Sequence, residues 1–201
     1  MNELLKRLFD LMAAFIAALV CLPFMAVIAM AIRLDSPGPV LFKQVRVGRA
    51  GRPFRIFKFR TMVVNASDLS ANVSPEGDPR VTRVGAWLRR TYLDELPQVF
   101  NVIVGEMSLV GPRPETPEFV DYYTDEERDL LSVRPGLAGP STLEHMDEAK
   151  ILAGVGDPER YYIETMLHDR ARLDLSYVRN HSVGGDIAIL FRQVAAILGG
   201  R

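Results

Sequence analysis

The chain of 201 residues has one cysteine and no excess of charge of either sign. A single cysteine excludes an intramolecular disulfide and a cysteine-based zinc site, and it is typical of a cytoplasmic domain. Because 24 basic residues stand against 25 acidic ones, the chain lacks the bulk positive charge of a nucleic-acid-binding protein. Aromatic residues are few, at 8%, but hydrophobic residues reach 48%, which excludes general disorder and suits one compact domain.

One stretch departs from this balance of charge. Residues 33–60 contain eight basic side chains and one acidic side chain, a local charge of +7, and the other 173 residues sum to −8. A basic stretch that directly follows an apolar segment indicates contact with anionic lipid headgroups or with an anionic substrate, and the sequence does not separate the two.

The apolar segment Leu11–Ile32 contains 22 residues without a charged side chain, enough for a helix that crosses a bilayer. Pro23 lies in its middle, and because proline cannot donate a backbone hydrogen bond, we predict that the helix breaks there. Lys6 precedes the segment and Arg33 follows it, and positive residues favour the cytoplasmic side. We therefore predict a re-entrant membrane helix-break-helix over residues 1–35.

Two alternatives stay open for this segment. The first is a kinked helix that spans the bilayer. The second is a secretory signal peptide, because Ala29-Met30-Ala31 fits a small-x-small cleavage site. An apolar stretch of this length exceeds the usual signal core of about 7 to 15 residues, which disfavours cleavage.

Residues 36–201 are predicted to form one compact, mainly helical domain with a small β-hairpin, so the predicted fold class is α+β. Val40–Val47 and Phe54–Phe59 are rich in β-branched and aromatic residues, and the glycines and proline between them indicate a hairpin turn. Apolar side chains recur at helical spacing between Ile187 and Leu198, which predicts an amphipathic helix that packs on the core or lies on a membrane surface. Residues 65–80 are polar and predict a loop that is mobile without ligand.

Other helical patterns are weaker. They cover residues 84–90 (short helix or strand), 96–104, 116–131 and 157–180. Gly105 follows the second of these patterns and is a plausible residue to end that helix.

Two adjacent carboxylates, Asp94 and Glu95, come just before Pro97. Proline is tolerated only in the first turn of a helix, so the pair is predicted at a helix N-terminus, where free N–H groups stabilise negative charge. The simplest role for Asp94 is therefore that of a helix cap.

Cations that accompany this pair favour a chemical role. Arg89 lies five residues upstream, Arg113 lies in a proline-rich turn downstream, and the predicted hairpin carries Lys58 and Arg60. Guanidinium groups bind phosphate oxygens in a bidentate manner. A carboxylate among such groups can hold Mg²⁺ shared with substrate phosphates, or it can attack phosphorus as a nucleophile. Glycoside hydrolysis fits less well, because it needs carboxyl groups about 5 to 9.5 Å apart that flank one bond.

Four motifs occur in a fixed order along the chain. They are Phe57–Met62, Leu93–Gln98, Gly105–Pro114 and Arg134–Gly136. Together with Lys6, Arg7 and Asp10, they resemble the bacterial sugar transferase family, the small monotopic phosphoglycosyl transferases that start glycoconjugates such as capsule, exopolysaccharide, O-antigen or N-glycan. Residues 173–180 match the family more loosely.

The resemblance implies an enzyme that transfers a sugar 1-phosphate from a UDP-sugar to polyprenyl phosphate, such as undecaprenyl phosphate, and releases UMP. It further implies a ping-pong mechanism with a covalent phosphosugar on Asp94, Mg²⁺ at the same carboxylate, and an acid-base or acceptor-activating role for Glu95. It places the protein in the bacterial inner membrane with the catalytic domain facing the cytoplasm. Five cations would hold phosphates: Arg89, Arg113, Lys58, Arg60 and Arg134.

Two departures from the family pattern limit what carries over. Leu22 precedes Pro23 where the family has a serine, and the run after Gly136 differs from the family continuation that is implicated in nucleotide-sugar binding. The sugar, the pathway, the length of the acceptor and the oligomeric state stay open. Two other functions also fit: a hydrolase of nucleotide diphosphate sugars that uses Asp94 for metal alone, and a non-catalytic membrane-anchored module for anionic lipids or an assembly partner.

Overall fold

The computed structural model describes residues 3–64 and 73–199. The helices are α1 (Glu3–Asp35), α2 (Arg83–Arg90), α3 (Gln98–Val104), α4 (Pro117–Val120), α5 (Pro140–Glu144), α6 (Glu148–Ala153), α7 (Pro158–Tyr161), α8 (Leu167–Asn180) and α9 (Val183–Leu198). The strands are β1 (Leu41–Val47), β2 (Pro53–Phe59), β3 (Ser108–Val110) and β4 (Gly136–Ala138). Shorter helical turns are Arg49–Gly51, Leu93–Glu95, Glu127–Ser132 and the π-turn Tyr162–Met166. This mixture of helices and small sheets is the predicted α+β class.

Helix α1 runs for 33 residues without interruption and contains Pro23. The predicted break at Pro23 is not confirmed. The domain packs against α1 on both sides of the proline, through Ala14 on one side and Met25, Ile28 and Ile32 on the other. This packing stabilises helix that one missing hydrogen bond would otherwise weaken. By length and composition alone, α1 is long and apolar enough to cross a membrane.

Both ends of α1 are attached to the same domain by polar contacts. Near the N-terminus, Arg7 donates to the carbonyl oxygens of Val102 at 2.7 Å and Ile103 at 3.0 Å, in the last turn of α3. The buried Asp10 accepts a hydrogen bond from Ser108 Oγ at 2.8 Å. At the other end, the Asp35 carboxylate accepts a hydrogen bond from the backbone N–H of Val84, in the first turn of α2, at 3.0 Å.

The predicted hairpin is confirmed. β1 and β2 pair antiparallel from Leu41 opposite Phe59 to Val47 opposite Pro53. Alternation along β2 places Phe54, Ile56 and Lys58 on the same face; Phe54 and Ile56 are buried in the core that α1 and α3 share, and Lys58, nearer the end of the strand, reaches Glu95. The hairpin therefore delivers a lysine towards the segment that precedes α3.

The other sequence expectations have mixed outcomes. Residues 116–131 form α4 and a separate 3-10 turn rather than one helix, because residues 121–126 between them are not helical. Gly105 ends α3 with a left-handed backbone (φ 94°), as predicted. Helix α9 forms and leaves an apolar stripe exposed, made of Ile187, Phe191, Val194 and Leu198. Of the predicted loop at 65–80, residues 65–72 lie outside the described residues.

Two short strands, β3 and β4, pair in parallel, and the turn that follows β3 passes close to the backbone of β4. A side chain on Gly136 would lie 2.0 Å from the backbone nitrogen of Gly111, and one on Gly139 would lie 2.4 Å from the Gly111 carbonyl oxygen. Glycine is therefore required for the backbones to approach this closely. At this crossing, backbone hydrogen bonds join Gly111 to Ala138 at 2.9 Å and Gly136 to Pro112 at 2.8 Å.

We predict that Gly136→Ala destabilises the protein by about 1–3 kcal/mol or more, because a new Cβ would overlap backbone atoms that cannot move aside. Urea unfolding in detergent measures the free energy change. Gly184→Ala in α9 is the matched control, since no atom lies within 4 Å of the added Cβ there and the helix should gain slightly. Equal stability of the two variants would contradict the prediction.

Candidate active site

The Asp94-Glu95 pair lies in its own 3-10 turn, Leu93–Glu95, directly before α3. Pro97 is the residue that precedes α3, and no side chain caps that helix. Asp94 is therefore not the N-cap of α3, and the helix-cap explanation of this carboxylate loses its structural basis. The pair remains near the start of a helix, as the sequence predicted.

Tyr92 fixes the entry to this turn. Its backbone has the left-handed conformation (φ 57°), which is uncommon for a residue with a side chain. The tyrosine hydroxyl donates a hydrogen bond to the carbonyl oxygen of Met146. Burial is the main reason that the pKa of Tyr92 is raised to about 12, so the hydroxyl stays protonated and keeps this bond. The bond ties the carboxylate turn to the segment before α6.

Glu95 is held by two cations. Lys58 Nζ, from β2, donates to Glu95 Oε1 at 2.7 Å, and the Arg113 guanidinium lies 3.7 Å from the same oxygen. Burial alone would raise the pKa of Glu95, but Lys58 and then Arg113 lower it to about 2. Glu95 is therefore ionised at every physiological pH.

Asp94 has a different environment from its neighbour. Within residues 3–64 and 73–199, no side-chain hydrogen bond or ion pair engages its carboxylate, which is half-buried. Burial and the nearby charge of Glu95 raise the pKa of Asp94 to about 6, although Lys58 and Arg89 act in the opposite direction. Two adjacent carboxylates thus differ in role: one is fixed in an ion pair, and the other is available.

Arg89 approaches Asp94 from α2. Its Nε donates to Thr61 Oγ1 at 2.9 Å, and its Nη1 donates to Ser74 Oγ at 2.7 Å. Burial lowers the pKa of Arg89, and the charge of Asp94 offsets part of this effect. The structure therefore brings Asp94, Glu95, Lys58, Arg89 and Arg113 into one cluster.

Two predicted phosphate-binding arginines are bonded elsewhere. Arg60 donates to the Ser36 carbonyl oxygen at 2.8 Å and to Ser36 Oγ at 2.9 Å, just after α1. Arg134 Nε donates to the Gly105 carbonyl oxygen at 3.0 Å, at the end of α3. Both satisfy carbonyl groups that follow a helix, so the structure supplies no link between them and the carboxylate pair.

A buried ionic network that the sequence analysis missed lies behind Arg113. Arg170 donates to Glu148 Oε2 at 2.6 Å, and Tyr162 donates to Glu115 Oε1 at 2.7 Å. Burial alone would lower the pKa of Arg113, but Glu95 and then Glu148 and Glu115 raise it above its usual value. Glu115, Glu148 and Arg170 are far apart in sequence, so no local motif announces this network.

The family resemblance implies Mg²⁺ at Asp94, and the carboxylates near this residue show whether the site can hold the ion. No group of three His, Cys, Asp or Glu side chains within the described ranges could enclose a metal ion. Mg²⁺ commonly uses only one or two carboxylates and completes its shell with substrate phosphates and water. Since the Asp94 carboxylate is uncommitted, the residues present fit an ion shared with a diphosphate substrate.

Comparison with known proteins identifies the family of the chain. The family model described as "Bacterial sugar transferase" matches residues 1–200. The chain therefore belongs to the bacterial sugar transferase family.

Three relatives are similar over nearly the whole chain. One is the UDP-N-acetylgalactosamine-undecaprenyl-phosphate N-acetylgalactosaminephosphotransferase of Aeromonas hydrophila, 42% identical over 98% of this chain and 44% of that protein. A second is the UDP-glucose:undecaprenyl-phosphate glucose-1-phosphate transferase of Escherichia coli (strain K12), 40% identical over 96% of this chain and 40% of that protein. The chain spans less than half the length of these two. The exopolysaccharide production protein PSS of Rhizobium leguminosarum bv. phaseoli is 38% identical, over 98% of this chain and 97% of that protein.

We predict that Asp94→Asn raises the free energy of unfolding at pH 7.5 by about 1–3 kcal/mol. The folded pKa of about 6 lies above the ordinary aspartate pKa of 3.8, so the ionised Asp94 destabilises the fold increasingly as pH rises between these values. The stability gap should be complete above about pH 6 and absent below about pH 4. Denaturant unfolding across this range measures it.

Glu95→Gln gives the comparison of opposite sign. The folded pKa of Glu95 is depressed, so its ion pair contributes its full stability at pH values above the ordinary glutamate pKa of 4.5, and the variant should be less stable at pH 7.5. A gap for Asp94→Asn that does not change with pH would show that the environment of Asp94 is described incorrectly.

Proposed function

We propose that this chain transfers a sugar 1-phosphate from a UDP-sugar to undecaprenyl phosphate and releases UMP, with Asp94 as the nucleophile. The observation that carries the proposal is the uncommitted Asp94 carboxylate beside Arg89, next to a Glu95 that Lys58 already neutralises. The names of two relatives support the acceptor, and because those names give different sugars, the proposal extends to UDP-sugars as a class.

In the first step, an Asp94 carboxylate oxygen attacks the β-phosphorus of the donor. A bond between that oxygen and phosphorus forms while the phosphorus–oxygen bond to UMP breaks, and UMP leaves with the electron pair. Phosphoryl transfer needs positioning and charge stabilisation more than proton transfer. Arg89 and Arg113 are placed to offset the charge of the phosphate oxygens. Mg²⁺ held by Asp94 and the donor diphosphate would supply further positive charge to the leaving UMP.

In the second step, an oxygen of undecaprenyl phosphate attacks the same phosphorus. The bond to Asp94 breaks, the carboxylate is regenerated, and the product is undecaprenyl diphosphate sugar. A carboxyl group with a pKa of about 2 is a weak base, so we assign Glu95 to holding Lys58 in place rather than to proton transfer.

We also propose that residues 1–35 form a re-entrant membrane element and that residues 36–201 form a catalytic domain on the cytoplasmic face of the inner membrane. Contacts at both ends of α1 with one domain favour this arrangement, because a spanning helix would place its ends on opposite sides. Large apolar side chains along the exposed side of α1 would face lipid, and so would the exposed stripe of α9. Pro23 removes one hydrogen bond inside α1 and makes bending there less costly.

We predict that Asp94→Asn abolishes both covalent labelling and UMP release, because an amide cannot act as the attacking carboxylate. The test incubates detergent-solubilised protein with Mg²⁺ and a panel of UDP-sugars without lipid acceptor. Intact-protein mass should show one phosphosugar added to the wild type and none added to the variant, with UMP assayed in parallel.

Asp121→Asn is the matched control, since Asp121 is exposed at the end of α4 and should label like the wild type. Continuous UMP release without an adduct or acceptor would identify a hydrolase instead. Labelling of a deamidation-checked Asp94→Asn sample would remove the nucleophile assignment.

For topology, we predict that tags at residues 1 and 201 are both digested by protease added to inverted inner-membrane vesicles. Both should be protected in right-side-out spheroplasts, because positive flanks on α1 keep its ends in the cytoplasm. Digestion of one tag in each preparation would establish a spanning helix. A periplasmic fusion protein serves as the control for vesicle orientation.

A further inference from the structure

Asp174 of α8 is a buried carboxylate that the proposed mechanism does not use. Its side chain accepts hydrogen bonds from the backbone N–H of Arg113 at 3.0 Å, the backbone N–H of Ser141 at 3.0 Å and Ser141 Oγ at 2.7 Å. The residue is only 2% exposed. One side chain therefore connects the turn that carries Arg113 to the first turn of α5.

The same face of α8 contacts the other end of this turn. Tyr177 lies one helical turn after Asp174. Its hydroxyl group is within donating distance of two acceptors, the Val110 carbonyl oxygen at 3.0 Å and Asp186 Oδ1 at 2.8 Å. The segment from Val110 to Arg113 is thus held at both ends by α8.

The backbone around Arg113 has little remaining freedom. Pro112 and Pro114 flank Arg113 and restrict φ on either side. The Gly136 N–H donates to the Pro112 carbonyl oxygen at 2.8 Å, next to the close crossing at Gly111. The hydrogen bond from the Arg113 N–H to Asp174 further restricts the backbone from which the Arg113 side chain extends.

We infer that Asp174 is a positioning residue that sets Arg113 for the diphosphate of the donor. The inference rests on the proposed function, which assigns Arg113 to phosphate. A displaced guanidinium would lose its place beside Glu95, from which it is 3.7 Å away, and errors of about 1 Å in such groups can cost about a hundredfold in rate.

The chemistry of the site requires an acid rather than an amide. All three groups around Asp174 donate hydrogen bonds, and an ionised carboxylate only accepts them. An asparagine would direct its own N–H groups at one of these donors. Asp174→Asn therefore changes little in volume but leaves at least one of these donors facing an N–H group, which loosens the attachment of the Arg113 turn to α8 and α5.

The experiment is a double-mutant cycle on the first half-reaction, with UMP release measured by rapid quench for the wild type, Asp174→Asn, Arg113→Ala and the double variant. We expect Asp174→Asn to slow the step about tenfold or more. In the Arg113→Ala background, the same substitution should cause no further loss, because its effect acts through Arg113. Additive losses would show a merely structural role and overturn the inference.

Ser141→Ala is the matched control. It removes one hydrogen bond to the same carboxylate and leaves the bond to the Arg113 N–H intact. Its melting temperature should fall while its rate stays within about twofold of the wild type. If Asp174→Asn does not fold, Tyr177→Phe takes its place in the cycle, with the same expected dependence on Arg113.

A second measurement separates this inference from the proposed function. The affinity for UDP, measured by calorimetry, should be lower in Asp174→Asn than in the wild type. The affinities of Arg113→Ala and of the double variant should equal each other. If the wild type forms no adduct, the proposed function fails, while the UDP titration still tests the positioning of Arg113. An unchanged affinity in Asp174→Asn would overturn the inference even if the wild type is active.

Discussion

The ion pair between Lys58 and Glu95 is the interaction on which the site depends. It joins the hairpin to the turn before α3, and it neutralises one of two adjacent carboxylates. Without it, two like charges would compete in a half-buried turn, and the second carboxyl would be driven to take up a proton. With it, the pKa values of Asp94 and Glu95 separate to about 6 and about 2. The separation gives two neighbouring carboxyl groups different chemistry, although both are half-buried.

Local signals in the sequence were sufficient for the parts that local interactions decide. The hairpin, the end of α3 at Gly105 and the amphipathic α9 follow from β-propensity, backbone conformation and helical spacing. The position of Asp94 and Glu95 before a helix followed in the same way from Pro97. In contrast, the prediction of a break at Pro23 considered one lost hydrogen bond and could not include the domain that packs along α1.

The partners of charged side chains could not be predicted, because they depend on segments far apart in sequence. The basic stretch 33–60 suggested lipid or substrate contacts, yet Arg46 pairs with Glu115 and Arg49 pairs with Glu3. Arg60 bonds to the chain just after α1. The network of Glu115, Glu148 and Arg170 gave no signal at all, since each residue looks like a surface charge in its own segment.

The bond from Tyr92 to Met146 has a consequence for how sequences of this kind can diverge. The acceptor is a main-chain carbonyl, so any residue at position 146 can provide it. Side chains in the segment between β4 and α6 can therefore change while the turn that carries Asp94 keeps its support. A region that differs from the family pattern is attached to the turn that carries Asp94 through an atom that every amino acid has. The sequence of this segment and the placement of Asp94 can thus evolve separately.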